Sequence, residues 1–87
     1  NMDINQLILI VKKKISENIK IEKILVEDKT FLHQNHKTHS KGKYHIKINI
    51  SSEELKSISK IESTKIIYKI LEEELNNYIH SIQIKLE

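Results

Sequence analysis

The sequence predicts a two-layer α+β domain in which helices cover one face of a three-stranded mixed sheet. Three observations carry that expectation. An N-terminal segment repeats apolar residues at helical spacing. Two later segments, 43–50 and 79–86, alternate isoleucine or leucine with polar side chains. The order of elements around them reads α-β-β-α-α-β. Strict alternation means one buried face and one wet face, which places the helices on a single side.

Asp3, with Gln6 three residues on, stands in capping-box register at the start of the first helix. Ile4, Leu7, Ile8, Val11, Ile15 and Ile19 then recur at helical spacing, while Lys12, Lys13 and Lys14 spread over the outer surface. Residues 21–28 are rich in β-branched side chains and read as a first strand. A polar loop over about 29–43 holds the only glycine, Gly42. In the strand that follows, Ile46, Ile48 and Ile50 face inward, and His45, Lys47 and Asn49 face water.

Ser51 with Glu54 is a second capping box and opens a helix carrying Leu55 and Ile58. A later helix, about 62–77, gathers Ile67, Ile70, Leu71, Leu75 and Tyr78 on one face. Were the two continuous, Leu55, Ile58 and Ile61 would fall outside that arc, so a break is expected near 59–63. Lys69 and Glu73 form an i, i+4 pair on the exposed side. In the last strand Ile82, Ile84 and Leu86 alternate with Ser81, Gln83 and Lys85. The first two strands make an antiparallel hairpin. The third returns through a helical crossover and pairs parallel.

Composition narrows the function classes. Eighty-seven residues make a single domain, taken as 2–87, with Asn1 ahead of Met2 read as a cloning remnant. No cysteine is present, so no disulfide forms and no thiolate of this chain can bind metal. That suits a reducing compartment, and a cytoplasmic location is expected. The longest apolar run, 7–11, is too short to span a bilayer, and no signal peptide is legible. The net charge of +3 hints at an anionic partner, although a sequence rich in isoleucine, lysine and asparagine points to an AT-rich genome that inflates lysine. There is no Gly-x-Ser-x-Gly elbow, glycine-rich phosphate loop or His-Glu-x-x-His pair. Glu72, Glu73 and Glu74 are consecutive and fan around a helix as a solvated face. The chain reads as a binding protein, not an enzyme.

Histidine is the residue type suited to metal chemistry here. His33, His36 and His39 share the hairpin loop at a spacing of three, His45 opens the second strand, and His80 opens the last. Imidazole ligates zinc, copper, nickel or iron near neutral pH. The plain reading of the loop is a solvated polar segment; the functional one is a histidine-only site for zinc, copper or nickel. His45 reads as a surface residue on the wet face. His80, in phase with the buried isoleucines, is expected at the edge of the core, either bonded to backbone or turning one nitrogen outward beside the loop.

Several strings resemble the BolA family. Val26-Glu27-Asp28-Lys29-Thr30 followed by His33 and His36 is similar to the family's strand end and histidine-bearing loop. Tyr44-His45-Ile46 resembles its Ser-His-Phe opening, running on through Lys47-Ile48-Asn49-Ile50-Ser51-Ser52. Glu73-Glu74-Leu75 matches its Glu-Glu-Leu, and Ile79-His80-Ser81 carries its C-terminal histidine. From about Tyr44 to Leu86 the correspondence runs without a gap. The family's Phe-x-Gly appears as Leu55-Lys56-Ser57, and its Arg-His-Arg as Ser63-Thr64-Lys65.

The resemblance implies a class II KH-like fold and partnership with a monothiol glutaredoxin around a shared 2Fe–2S cluster. The partner would supply a cysteine thiolate and bound glutathione. This chain would supply His80 and a loop histidine, His36 by spacing from the second strand or His33 by spacing from Asp28. Mixed histidine and thiolate ligation is sound iron–sulfur chemistry. Such a protein acts in cluster assembly, trafficking or iron signalling, alone as a monomer or weak homodimer. The alternative implied is a nucleic-acid-binding regulator of transcription, stress response or morphology, with Lys65 at the DNA-contacting helix. Against it stand the missing Gly-x-x-Gly clamp and the absence of arginine, which removes bidentate reading of guanine.

Overall fold

The computed structural model describes residues 2–30 and 43–87. The element order is α1 Ile4–Asn18, β1 Lys23–Asp28, β2 Tyr44–Ser51, α2 Glu53–Lys56, α3 Lys60–Ile70, α4 Glu72–Asn77 and β3 Ile79–Leu86. The strands lie in the order β1-β2-β3. β1 and β2 run antiparallel, with Val26 opposite Ile48. β2 and β3 run parallel, with Ile48 opposite Ile84. The expected α+β architecture and mixed sheet are present, with one more short helix than the sequence suggested.

The Asp3 carboxylate accepts from the backbone N–H groups of Asn5 and Gln6, so the first helix starts where its cap places it. Leu7, Val11 and Ile15, one helical turn apart, are fully buried against the sheet. They meet Val26, Ile46, Ile48 and Ile50 of the inner face, and Leu55, Ile67, Leu71 and Ile79 close the core. Burying one such isoleucine is worth about 1.5–3 kcal/mol, so this one-sided stack is the main reason the helices lie on that face.

The turn between α1 and β1 is stitched to the start of α2. Ser52 Oγ donates to Lys20 O at 2.8 Å and accepts from Leu55 N at 3.2 Å, while Glu54 accepts from Lys20 N at 2.7 Å. Ser52, not Ser51, is therefore the second helix cap, because β2 runs one residue further than expected and holds Ser51 in its ladder. The first strand in turn starts at Lys23, not Ile21.

The expected break falls where α2 gives way to α3. Ser59 caps α3, and the buried Ser63 hydroxyl lies 3.1 Å from the carbonyl oxygens of both Leu55 and Ser59, tying the two helices together. A hydroxyl can do what no glycine or proline was there to do. The long second helix is itself broken at Leu71, whose φ of −98° and ψ of 19° leave the helical region. That break rephases the acidic run. Lys69 pairs with Glu72 at 3.7 Å and not with Glu73. Glu74, expected in water with its neighbours, is turned inward and only 3 % exposed. It accepts a 2.6 Å hydrogen bond from Lys14, which leaves the outer surface to bridge α1 and α4. No helix among the described residues is long and apolar enough to cross a membrane.

Candidate functional site

The sheet's outer face is polar along most of its length. Leu25 is its exposed apolar exception, among Glu27, Lys47 and Asn49. Glu27 accepts from Asn49 Nδ2 at 3.0 Å and pairs with Lys29 at 3.3 Å. The Lys29 ammonium, first by hydrogen bond, holds the Glu27 carboxyl below the usual carboxylate range against the opposing effect of burial.

The regular ladder fails at one end. Tyr44 pairs with Ile79, yet His45 pairs with Ser81, so His80 is the extra residue of a β-bulge. The bulge changes the phase of the last strand's first turn. Ile79 takes the inward position and is buried, and His80 is exposed instead of lying at the edge of the core. No described residue hydrogen-bonds its imidazole.

His45 departs from expectation in the opposite sense. Its alternation points it to the outer face, but it is only 4 % exposed. The His80 ring lies against it, centroid to centroid 4.6 Å, at an interplanar angle of 49°. His45 Nδ1 is 2.6 Å from Ser81 Oγ, the tautomer deciding which group donates. A strand residue facing outward is thus buried, with the bulged residue of the neighbouring strand against its ring.

The same corner anchors the hairpin loop. Asp28 Oδ1 accepts from the backbone N–H of Thr30 at 3.0 Å and from its hydroxyl at 2.5 Å. The Thr30 hydroxyl in turn accepts from His45 N at 3.1 Å, and Lys29 N donates to His45 O at 2.7 Å. At the loop's other root Tyr44 N donates to Tyr78 O at 2.9 Å, and Lys43 Nζ reaches Asn76 O at 3.4 Å. Both roots are therefore bonded to residues that flank His80 in sequence or in space. The loop candidates His36 and His33, with His39, lie outside the described residues. Among the described residues no group of three or more histidine, cysteine, aspartate or glutamate side chains is arranged to hold a metal ion. A metal at this corner needs ligands from the loop or from another molecule.

Lys65 is exposed on α3. Of the two residues before it, Ser63 is buried and spent on the interhelical turn, so it is not available to a phosphate. Sequence reasoning missed the surroundings of His80: its ring neighbour His45 was assigned to water, and His45's own partners Ser81 and Thr30 were not singled out. The signal that could have found them is the run of polar residues at positions where two strand ends and a loop root converge. The bulge that joins them has no signature in the sequence.

The geometry defines a class before any comparison: a small α+β domain whose mixed sheet presents a bulged histidine near Thr30 and Tyr44, between which the sequence carries three histidines. This chain belongs to the BolA family. The family's profile, described as BolA-like protein, matches residues 15–87. A relative from Haemophilus influenzae, called DNA-binding transcriptional regulator BolA, is 30% identical over 77 residues, covering 88% of this chain and 72% of its own length. Two solved Arabidopsis thaliana structures share the fold. The BolA domain of SufE1 has a TM-score of 0.79 at 21% identity, covering 93% of this chain and 90% of its own. BolA1 has a TM-score of 0.75 at 19% identity, covering 91% and 87%.

Proposed function

We propose that this protein is a non-enzymatic adaptor that binds a monothiol glutaredoxin and shares a 2Fe–2S cluster with it in cluster assembly, trafficking or iron signalling. The observation that carries the reading is the exposed His80 imidazole on a bulge, beside the two bonded roots of the histidine loop. His80 and His36, or His33 in place of His36, would be this chain's ligands. The donor set fits the group: a cysteine-free chain offers imidazole only, and the thiolates come from the partner's cysteine and bound glutathione. The cluster so held would have its reduction potential raised by histidine ligation relative to an all-thiolate one. The chain's own part is to orient His80, anchor the loop beside it and leave the imidazole open to a partner.

The test is anaerobic mixing with a monothiol glutaredoxin and glutathione, scored for iron and for visible absorption and circular dichroism. A shifted cluster spectrum that returns to the glutaredoxin-only form in His80→Ala is the expected result. An identical spectrum in the variant would sink the assignment. Replacing His36 and His33 separately identifies the second ligand.

A second reading rests on the name of the Haemophilus influenzae relative, a DNA-binding transcriptional regulator. On this chain Lys60, Lys65 and Lys69 line two shallow hollows along α3, beside the exposed Ile61 and Ile66. Phosphate-driven binding weakens steeply with salt, so a DNA titration at two salt concentrations with Lys65→Ala decides it. No binding at low salt ends that reading.

A further inference from the structure

We propose that His45 is a positioning residue for His80: a buried imidazole platform that fixes the exposed ring and couples it to the root of the hairpin loop. Among the described residues four contacts converge on His45. Its Nδ1 is held 2.6 Å from Ser81 Oγ, its N–H bonds Thr30 Oγ1, its carbonyl accepts from Lys29, and its ring lies 4.6 Å from that of His80. A bulged residue has no ladder partner to set its side chain's direction, because the extra residue is left out of the pairing. The orientation of His80 must come from something else, and the described contact that can supply it is the His45 ring.

Metal-ligating histidines ordinarily owe their orientation to a hydrogen bond on the second ring nitrogen. Here the orienting contact is the neighbouring ring, 4.6 Å away and tilted by 49°, and no described residue hydrogen-bonds the His80 nitrogens. The platform is also rigid. His45 lies in the central strand between β1 and β3, and its main chain is pinned by the residues from which the loop departs. Two links follow. The His45–Ser81 contact ties the platform to the bulge itself, and the His45–Thr30 bond ties it to the loop. A displacement of either strand end therefore moves ligand and loop root together. The alternative is that His45 merely fills space under the bulge.

The first arm of the test needs no metal; only the second rests on the shared-cluster reading. In the cluster-free protein, carbon relaxation and ring-to-ring nuclear Overhauser effects of His80 should show one rotamer in contact with His45. His45→Val should release the ring while the amide spectrum of residues 46–50 keeps its dispersion. His45→Phe, which keeps a ring face, should restore the order. Ser81→Ala, at an exposed position, serves if the valine variant does not fold, and should loosen both rings. In the second arm, cluster retained with the glutaredoxin should fall about 10-fold in His45→Val, the scale typical of losing a ligand's orienting partner. The histidine-nitrogen hyperfine coupling of the reduced cluster should change with it. A His80 ring that samples several rotamers in the parent, or that is equally ordered in His45→Val, overturns the proposal. If the parent gathers no cluster at all, the proposed function falls and the ring-order measurement still decides this inference.

Discussion

The two ends of the β2–β3 ladder are built from the same pattern and behave differently. From Ile46 to Ile50 the pairing with β3 is regular, isoleucines are buried on one side, and Lys47 and Asn49 stay partly in water on the other. At Tyr44 and His45 the register slips by one residue, and the outward-facing His45 side chain is buried. In the regular stretch the energetics is apolar burial, which is non-directional and tolerant of shape. At the bulged end it is a set of directional contacts, each worth little, that jointly fix where two imidazoles lie. Stability resides in the first region, and the second holds the residues proposed for recognition.

That division can be broken by substitutions of decreasing effect. Ile48→Ala, in the fully buried centre of the sheet, should cost about 2–5 kcal/mol in urea unfolding. A loss under 1 kcal/mol would mean that the core does not rest on this strand.

The Lys14–Glu74 bridge comes next. Lys14→Met leaves a buried carboxylate without its donor and should cost about 1–3 kcal/mol at neutral pH. The hydrogen bond to Glu74, outweighing burial and helped by the charges of Glu74 and Glu73, raises the Lys14 pKa above its ordinary 10.5. The sign follows from linkage. A raised pKa contributes stability that is complete below about 10.5 and fades as pH climbs through the folded-state value. Alkaline unfolding of the parent should therefore show a loss above that pH which Lys14→Met lacks. Parallel pH profiles would remove the bridge from the account.

At the bulged end, Thr30→Val keeps the shape of the loop root but removes the hydroxyl that accepts from His45 N and donates to Asp28. About 1 kcal/mol should be lost, and amide exchange at His45 should accelerate while Ile48 stays protected. Exchange rising equally at both positions would show one cooperative sheet with no separable corner. The smallest expected change belongs to His80→Ala. An exposed residue outside the ladder should alter stability by less than about 0.5 kcal/mol. A larger loss would make His80 a structural residue and weaken its assignment as a ligand.

Much of the architecture was legible because it follows from periodicity. Leu7, Val11 and Ile15 could only form one stripe of a helix, and Ile46, Ile48 and Ile50 only one face of a strand. Asp3 announced its cap, and the failure of Leu55, Ile58 and Ile61 to share an arc with Ile67 and Leu71 announced the break filled by Ser59. Glu74 was misplaced because three adjacent glutamates look alike along the chain, and the break at Leu71 selected which one meets Lys14. His80 was given the wrong surroundings, exposed instead of at the edge of the core, since a strand's phase can be extrapolated only until a bulge resets it.

By itself the sequence determined which side chains must leave water, the order of strands and helices, and the family resemblance, because each depends on local spacing and composition. Tertiary structure alone decided that His45 is buried, that His80 is lifted out of the ladder, and that Thr30 and Ser81 bracket them. The place of His80 arises from one extra residue in a pairing between chain segments more than 30 positions apart, and the Thr30 contact from the hairpin's own pairing. Registry between distant strands is settled by the packing of the whole sheet, and no local pattern encodes it.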